Sequence, residues 1–382
     1  MFDYIVVGAG FAGCVMAERI ASQLNKKVLI VERKKHIGGH CYDYKDEHGI
    51  IIHRYGPHLF HTNHKHVWEY LSQFTEWHYY QHKVLAYVDG KKIPIPFNLN
   101  SLYYVFPDSL ANKIESKLLQ FFNYNQRVPI LELRKIDDPD IRFLSEFVYE
   151  NIFLNYTTKQ WGIDPEHINP EVTSRVPVFI GRDDRYFIDD KYQGVPKYGY
   201  SRIFKNIVSH PNINLLLGVN FNEFCKIREN NILIDNIQFK GKIIYTGMID
   251  ELFEFRFGEL PYRTLNLEFK KLDQIYFQEN AVVNYPNNYD FTRITEFKHI
   301  HPVDTKFTHI LLEYPGQYIR GISDPFYPLF TDDAKNAYHK YLDLSKQYKN
   351  LILLGRLAEF KYYDMDDVID RALRLFNIIF ND

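Results

Sequence analysis

An α/β fold is predicted for this 382-residue chain: a parallel-sheet domain assembled from separated segments, with an inserted helical domain and an antiparallel β-sheet domain. Three observations predict it. The chain opens with a strand-like run (Phe2–Val7), a glycine-rich turn, an apolar helix and a second strand-like run (Val28–Val31). Between Pro107 and Asn155 apolar residues recur at helical spacing. Beyond Pro170 short β-branched and aromatic runs take over, until a last buried strand, Leu351–Leu354, leads into a closing helix.

The opening turn, Gly8-Ala9-Gly10-Phe11-Ala12-Gly13, has the order that a nucleotide pyrophosphate requires. Gly8 lets the strand turn sharply, Gly10 leaves backbone N–H groups accessible, and Gly13 lets helix and strand pack closely. The helix N-terminus then attracts the anion. Glu32 lies 19 residues past Gly13, close to the spacing of a carboxylate that holds ribose hydroxyls. After it comes Arg33-Lys34-Lys35-His36-Ile37-Gly38-Gly39. This Glu-x-x-x-x-x-Gly-Gly run favours FAD over NAD, because the paired glycines let the chain turn back over the pyrophosphate with N–H groups exposed. No second G-x-G-x-x-G occurs, which argues against a separate nicotinamide domain. The first domain therefore reads as a discontinuous FAD-binding Rossmann-type domain.

The remaining elements follow in order. Ile50–His53 is a strand feeding a loop dense in polar rings, Arg54 to His61, and His66–Phe74 is a short amphipathic helix. Val84–Val88 and Lys92–Ile95 form a hairpin around Asp89-Gly90, a pair that accepts positive φ. Leu110, Ile114 and Leu118 mark a helix over Pro107–Phe122; Leu144, Val148 and Ile152 mark another over Ile141–Asn155. Tyr200–His210 is a helix, and Asn214–Leu217, Ile232–Ile234 and Lys242–Tyr245 are strands returning to the nucleotide domain. Leu265–Phe269, Ala281–Tyr285, Thr292–Phe297 and Ile310–Tyr314 make the antiparallel sheet, and helices Asp332–Tyr348 and Asp366–Phe380 flank the last strand. The expected division gives residues 1–78, 194–250 and 329–382 to the FAD-binding domain. Residues 100–173 form the helical domain, and 79–99, 174–193 and 251–328 the sheet domain.

A net charge of −2 gives no global field for nucleic acid or a membrane surface. The three cysteines (Cys14, Cys41, Cys225) lie far apart, which fits a reducing compartment and no metal site. No apolar run approaches the ~18 residues of a membrane span, and no basic leader opens the chain, so a cytoplasmic protein is expected. Thirty Tyr and 30 Phe permit a pocket that stacks rings and donates hydroxyls.

Five segments carry a resemblance, in order: His53-Arg-Tyr-Gly-Pro-His-Leu-Phe-His-Thr-Asn63, Tyr156-Thr-Thr-Lys-Gln-Trp-Gly162, Arg175-Val-Pro-Val178, Phe291-Thr-Arg-Ile-Thr-Glu-Phe-Lys-His299 and Gly355-Arg-Leu-Ala-Glu-Phe-Lys-Tyr-Tyr-Asp-Met-Asp366. Together they resemble the bacterial UDP-galactopyranose mutases over essentially the whole chain. The resemblance implies an isomerase that interconverts UDP-galactopyranose and UDP-galactofuranose for cell-surface polysaccharide. It implies FAD, active when reduced, whose flavin N5 bonds the anomeric carbon as UDP leaves, with no net redox change.

The same resemblance assigns residues. Arg175 and Arg293 are the catalytic pair that clamps the substrate diphosphate. Phe153, Tyr156 and Trp161 meet the uridine; Tyr186, Tyr327 and Tyr362 reach the phosphates; Arg263 and Asn284 are further substrate contacts. The cofactor is placed on Gly8, Gly10, Phe11, Ala12, Gly13, Glu32, Arg33, Gly39, His40, His58, Leu59, Arg356, Tyr362, Asp364, Met365 and Asp366. From the residues alone, Asp364 and Asp366 read equally as helix caps. A homodimer and a transient external reductant such as NAD(P)H are also implied. The stretch from Trp161 to Pro196 is expected to fold over the nucleotide. His82 stands near a position where many relatives carry asparagine, and Arg54 lies beside His58 where members differ. Arg54 leaves UDP-N-acetylgalactosamine open as the substrate. A flavin amine oxidase or dehydrogenase shares the amino-terminal motif and is the remaining alternative.

Overall fold

The computed structural model describes residues 2–162, 177–228 and 231–380. Five strands form a parallel sheet in the order Ile213–Leu217, Val28–Glu32, Tyr4–Val7, Lys242–Tyr245, Leu351–Leu353. The opening strand lies at the centre, with Val28–Glu32 on one side and Lys242–Tyr245 on the other. Apolar side chains fill both faces, as a strand covered on both sides requires. Val6, Ile30 and Ile244 pack with helices Phe11–Leu24, Tyr200–Ile207 and Met365–Phe380, while Ile5, Val31 and Ile243 pack with helix Asp332–Ser345. The chain leaves the central strand in both directions, so its C-terminal end is a topological switch point where ligands bind in such sheets.

Strand Asn231–Ile234 does not join this sheet. It pairs antiparallel with Cys225–Arg228 and Ile237–Gln238 in a separate three-stranded sheet. Asp235 and Asn236 both take positive φ (49° and 64°) and close a tight local hairpin, which outcompetes a distant edge.

A seven-stranded sheet runs Tyr327–Pro328, Tyr262–Leu272, Thr308–Gln317, Arg293–Glu296, Val282–Asn284, Val84–Val88, Lys91–Ile95. It is antiparallel except between Val282–Asn284 and Val84–Val88, which pair parallel, so the expected antiparallel sheet is mixed at one joint. The hairpin turn has φ 48° at Asp89 and 79° at Gly90, as its residues dictate.

Helices Asp108–Phe121 and Pro139–Val148 cover this sheet, and Ile114, Leu118, Leu144 and Val148 share one core with Val84, Val282 and Leu311. Asp138 caps the second helix through the N–H groups of Asp140 (3.0 Å) and Ile141 (3.2 Å). The expected helix over Ile141–Asn155 is longer at both ends. It passes through a π-helical stretch, Tyr149–Leu154, into helix Asn155–Trp161 and stops at Gly162 with φ 68°. A π-helical turn inserts a residue and resets which side chains share a face.

Candidate active site

A cavity of about 730 Å³ opens at the C-terminal edge of the parallel sheet. Its floor is the glycine turn. Gly8 has φ +100°, and a Cβ there meets Thr246 Oγ1 at 2.1 Å; a Cβ on Gly13 meets the Gly8 carbonyl at 2.0 Å. Gly10 and Gly39 face each other so closely that a Cβ on Gly39 lies 3.2 Å from Gly10 Cα. Helix Phe11–Leu24 begins without a side-chain cap and without an acidic residue in its first turn. Its free N–H groups and positive end therefore remain unneutralised beside the cavity. Glu32 accepts from the N–H groups of Ala9 (2.8 Å) and Lys34 (2.8 Å), which fixes its carboxylate at the cavity wall with lone pairs to spare. The segment leading into helix Met365–Phe380 also lines the cavity, through Asp364 and Met365. Exposed glycine backbone, an uncapped helix end and a fixed carboxylate fit a dinucleotide cofactor.

The opposite wall is the seven-stranded sheet. Asn284, Arg293 and Glu313 are direct neighbours in one row across three strands. Arg293 Nε lies 2.9 Å from Glu313 Oε2, and the Glu313 side chain is fully buried. The two are close but poorly aligned, so neither Glu313 oxygen nor Arg293 Nε completes a hydrogen bond; Asn284 Oδ1 and Gln160 Oε1 are buried without partners as well. All four side chains line the cavity. Buried polar atoms are normally satisfied, so this concentration of unmet ones points to a polar ligand. Rings enclose the row: Trp161 lies 6.0 Å from Tyr327, which stacks on Tyr362 at 6.1 Å. The Arg356 guanidinium sits 5.4 Å and 5.0 Å from the Tyr327 and Tyr362 rings, held by the carbonyls of Phe326 and Tyr363.

Burial sets the protonation states. His58 donates Nδ1–H to the Gly56 carbonyl at 2.8 Å, and burial lowers its pKa to about 4. Burial takes His82 down to about 3. His40 stacks on Phe326 at 4.3 Å, and burial holds it well below the ordinary histidine range. These imidazoles are neutral near pH 7. Burial also opposes the charge on Arg293, but Glu313 outweighs it and raises that pKa. Tyr156 is pushed up to about 12 by burial and Tyr327 is raised for the same reason, so both phenols remain donors.

The cavity gathers most residues expected from the sequence. Gly8, Gly10, Phe11, Ala12, Glu32, Arg33, Gly39, His40, His58, Leu59, Arg356, Tyr362, Asp364 and Met365 line it, as do Tyr156, Trp161, Tyr186, Asn284, Arg293 and Tyr327. Gly13 sits behind the turn, where it permits the close packing just described. Asp366 bonds Thr62 instead of the cavity. Phe153 is 1 % exposed and stacks on Tyr149 inside the helical core, because the π-helical turn directs it inward. Arg263 closes the end of helix Asn155–Trp161, donating to the carbonyls of Gln160 (3.1 Å) and Lys159 (2.9 Å). Arg54 is exposed, 5.3 Å from the Phe269 ring and outside the lining. Arg175 and residues 163–176 of the expected covering stretch lie outside the described residues.

Glu313, Gln160, Asn220, Asn222 and Thr246 line the cavity without having been singled out. A carboxylate inside the apolar run Ile310-Leu-Leu-Glu313 was the available signal for the first. Asn220, Asn222 and Thr246 follow the C-terminal ends of parallel strands, where the sheet rule places ligand contacts.

A family model described as UDP-galactopyranose mutase matches residues 151–362, and one described as an NAD(P)-binding Rossmann-like domain matches residues 6–74. A UDP-galactopyranose mutase from Mycoplasma pneumoniae is 33% identical, covering 97% of this chain and 94% of its own length. A dTDP-fucopyranose mutase from Escherichia coli is 32% identical, covering 98% and 97%. The crystal structure of a reduced UDP-galactopyranose mutase has a TM-score of 0.72 at 14% identity, covering 100% of this chain and 96% of that one. Among the described residues, no helix is long and apolar enough to cross a membrane. With the first of these models spanning more than half of the sequence and a relative aligned along nearly all of it, the chain belongs to the UDP-galactopyranose mutase family.

Proposed function

We propose that this protein interconverts UDP-galactopyranose and UDP-galactofuranose, with FAD in its reduced form as cofactor. The observation that carries the reading is the Asn284–Arg293–Glu313 row, whose unmet polar atoms share one cavity with the dinucleotide cradle. When bound, the reduced flavin supplies the nucleophile toward the anomeric carbon. The chain's own groups bind and orient. Gly10, Phe11 and Ala12 offer N–H groups to the cofactor pyrophosphate, Glu32 accepts from its ribose, and His40 and His58 present neutral rings to it. Arg293, held by Glu313, grips the substrate diphosphate, with Arg175 as its partner. A guanidinium stabilises the negative charge that develops on UDP as the anomeric bond breaks. Tyr156, Tyr186, Tyr327 and Tyr362 donate to the phosphates, and Trp161 packs on the base. Asp364 and Met365 complete the cofactor end. Because the site's histidines are neutral, its charge for the diphosphate comes from arginine. The three-domain division given above, a cytoplasmic homodimer and a transient reductant such as NAD(P)H belong to the same reading.

The test is to incubate dithionite-reduced protein with UDP-galactofuranose and follow the pyranose by chromatography. The expected result is conversion by reduced protein and none by oxidised protein. Equal conversion with the flavin oxidised or removed overturns the reading. The dTDP-fucopyranose mutase, as similar as the mycoplasma enzyme, favours a second reading in which the hexose is the 6-deoxy sugar on dTDP. The same assay with dTDP-fucofuranose decides between them by kcat/KM. UDP-N-acetylgalactosamine draws no support from Arg54, which lies away from the cavity.

A further inference from the structure

Helix Asn155–Trp161 brings Tyr156, Gln160 and Trp161 to the cavity, and the hairpin of Val282–Asn284 with Arg293–Glu296 brings Asn284 and Arg293. Lys159 lies on the same short helix but does not line the cavity. A lysine inside a binding motif invites assignment to a phosphate. This one is engaged elsewhere. Its ammonium donates to the carbonyls of Tyr285 (2.6 Å), Tyr289 (3.0 Å) and Phe291 (3.2 Å). An ammonium has three donors, and all three reach the tip of that hairpin. Two asparagines repeat the join: Asn155 Nδ2 donates to Asn287 Oδ1 (2.8 Å), and Asn287 Nδ2 donates to the Asn151 carbonyl (2.9 Å). Arg263 holds the far end of the helix.

We propose that Lys159 is a positioning residue, a strap that fixes the Tyr156–Trp161 helix against the hairpin tip and so sets the distance between the rings on the helix and the Arg293 guanidinium. This deepens the function proposed above and rests on it. A helix of this length has little stability of its own, since nucleation outweighs so few hydrogen bonds. It also follows a π-helical stretch rather than a rigid helix. Its orientation therefore depends on what it is tied to. Removing the ammonium leaves three carbonyls without that donor and releases the helix from the hairpin. The base-stacking and phosphate-gripping groups then no longer hold one geometry, and a small misplacement is enough to weaken a bound nucleotide. The loss falls on nucleotide binding, because the cofactor cradle lies on other elements.

The test uses FAD-loaded, reduced protein and the variants Lys159→Met and Lys159→Arg. Four quantities are read: the Kd of UDP from the change in the flavin spectrum, KM and kcat for UDP-galactofuranose, FAD content, and Tm. For Lys159→Met, KM and the UDP Kd are expected to rise by about tenfold or more, with kcat within about threefold and FAD content intact. Arginine, which also carries several donors, is expected to recover most of the loss. An unchanged KM in Lys159→Met overturns the proposal, and so does a fall in Tm with KM, kcat and the arginine variant all failing together. Should Lys159→Met not fold, Asn287→Ala removes the second half of the join, and wild-type KM in that variant overturns the strap. If the wild-type protein neither binds UDP nor turns over, the proposed function itself fails; if it does both while the variants match it, only the strap fails.

Discussion

Arg293 holds a buried positive charge against a carboxylate that has no other partner of its own. Arg293→Ala removes the grip on the diphosphate and also strands Glu313, whose oxygens already lack donors. Breaking one side of a buried pair costs about 3–5 kcal/mol. The expected outcome is a kcat/KM lower by a corresponding two or more orders of magnitude, measured on reduced enzyme; a rate within about tenfold of wild type removes Arg293 from the site. The histidines make a different prediction. In the unfolded chain His58 and His82 take protons near pH ~6.5, whereas in the folded protein they do so only near about 4 and about 3. Across that interval the unfolded state binds the extra protons, so stability falls as pH drops from neutral toward 4. Denaturant midpoints should decline steadily through this window, and less steeply in His58→Asn; a flat profile contradicts the buried, neutral assignment. Arg293 was legible in the sequence because it sits in a distinctive motif. Glu313 was not, because its importance is a matter of register: it faces Arg293 across two strands whose alignment no local pattern states. Phe153 misled for a related reason, since its direction depends on a π-helical turn that apolar spacing does not reveal.

Elements make the site by approaching one another closely, and the glycine turn shows how little room they leave. Gly8→Ala combines a φ of +100° with a Cβ 2.1 Å from Thr246 Oγ1. The expected outcome is protein that purifies with little flavin and a lower Tm, read from visible absorbance and thermal melts. Gly90→Ala is the matched control: its φ is +79°, but nothing lies within 4 Å of the added carbon. It should cost about 1 kcal/mol from backbone strain alone and keep its flavin. Retention of full flavin by Gly8→Ala contradicts the close approach. At this scale the sequence was most readable where one local rule sufficed, as in the first strand, turn and helix or the Asp89-Gly90 hairpin. It was least readable where two rules competed. Asn231–Ile234 has the composition of a core strand, but the adjacent Asp235-Asn236 turn captures it into a hairpin.

The whole molecule is two sheets facing one cavity, one supplying backbone donors and the other paired charges. The parallel sheet was legible because apolar runs buried on both faces are unusual outside such sheets. The mixed joint in the larger sheet was not, since parallel and antiparallel strands share the same alternation. Tyr4 pairs with Lys242, and Ile243 with Leu351, so the central layer collects strands from nearly the full length of the polypeptide. Synthesis proceeds from the amino terminus. On the ribosome the glycine turn therefore emerges long before Thr246 and Gly355, which close around it. Cofactor capture is consequently a late, post-translational event, and a chain terminated before Leu351 retains an open sheet edge suited to aggregation rather than catalysis.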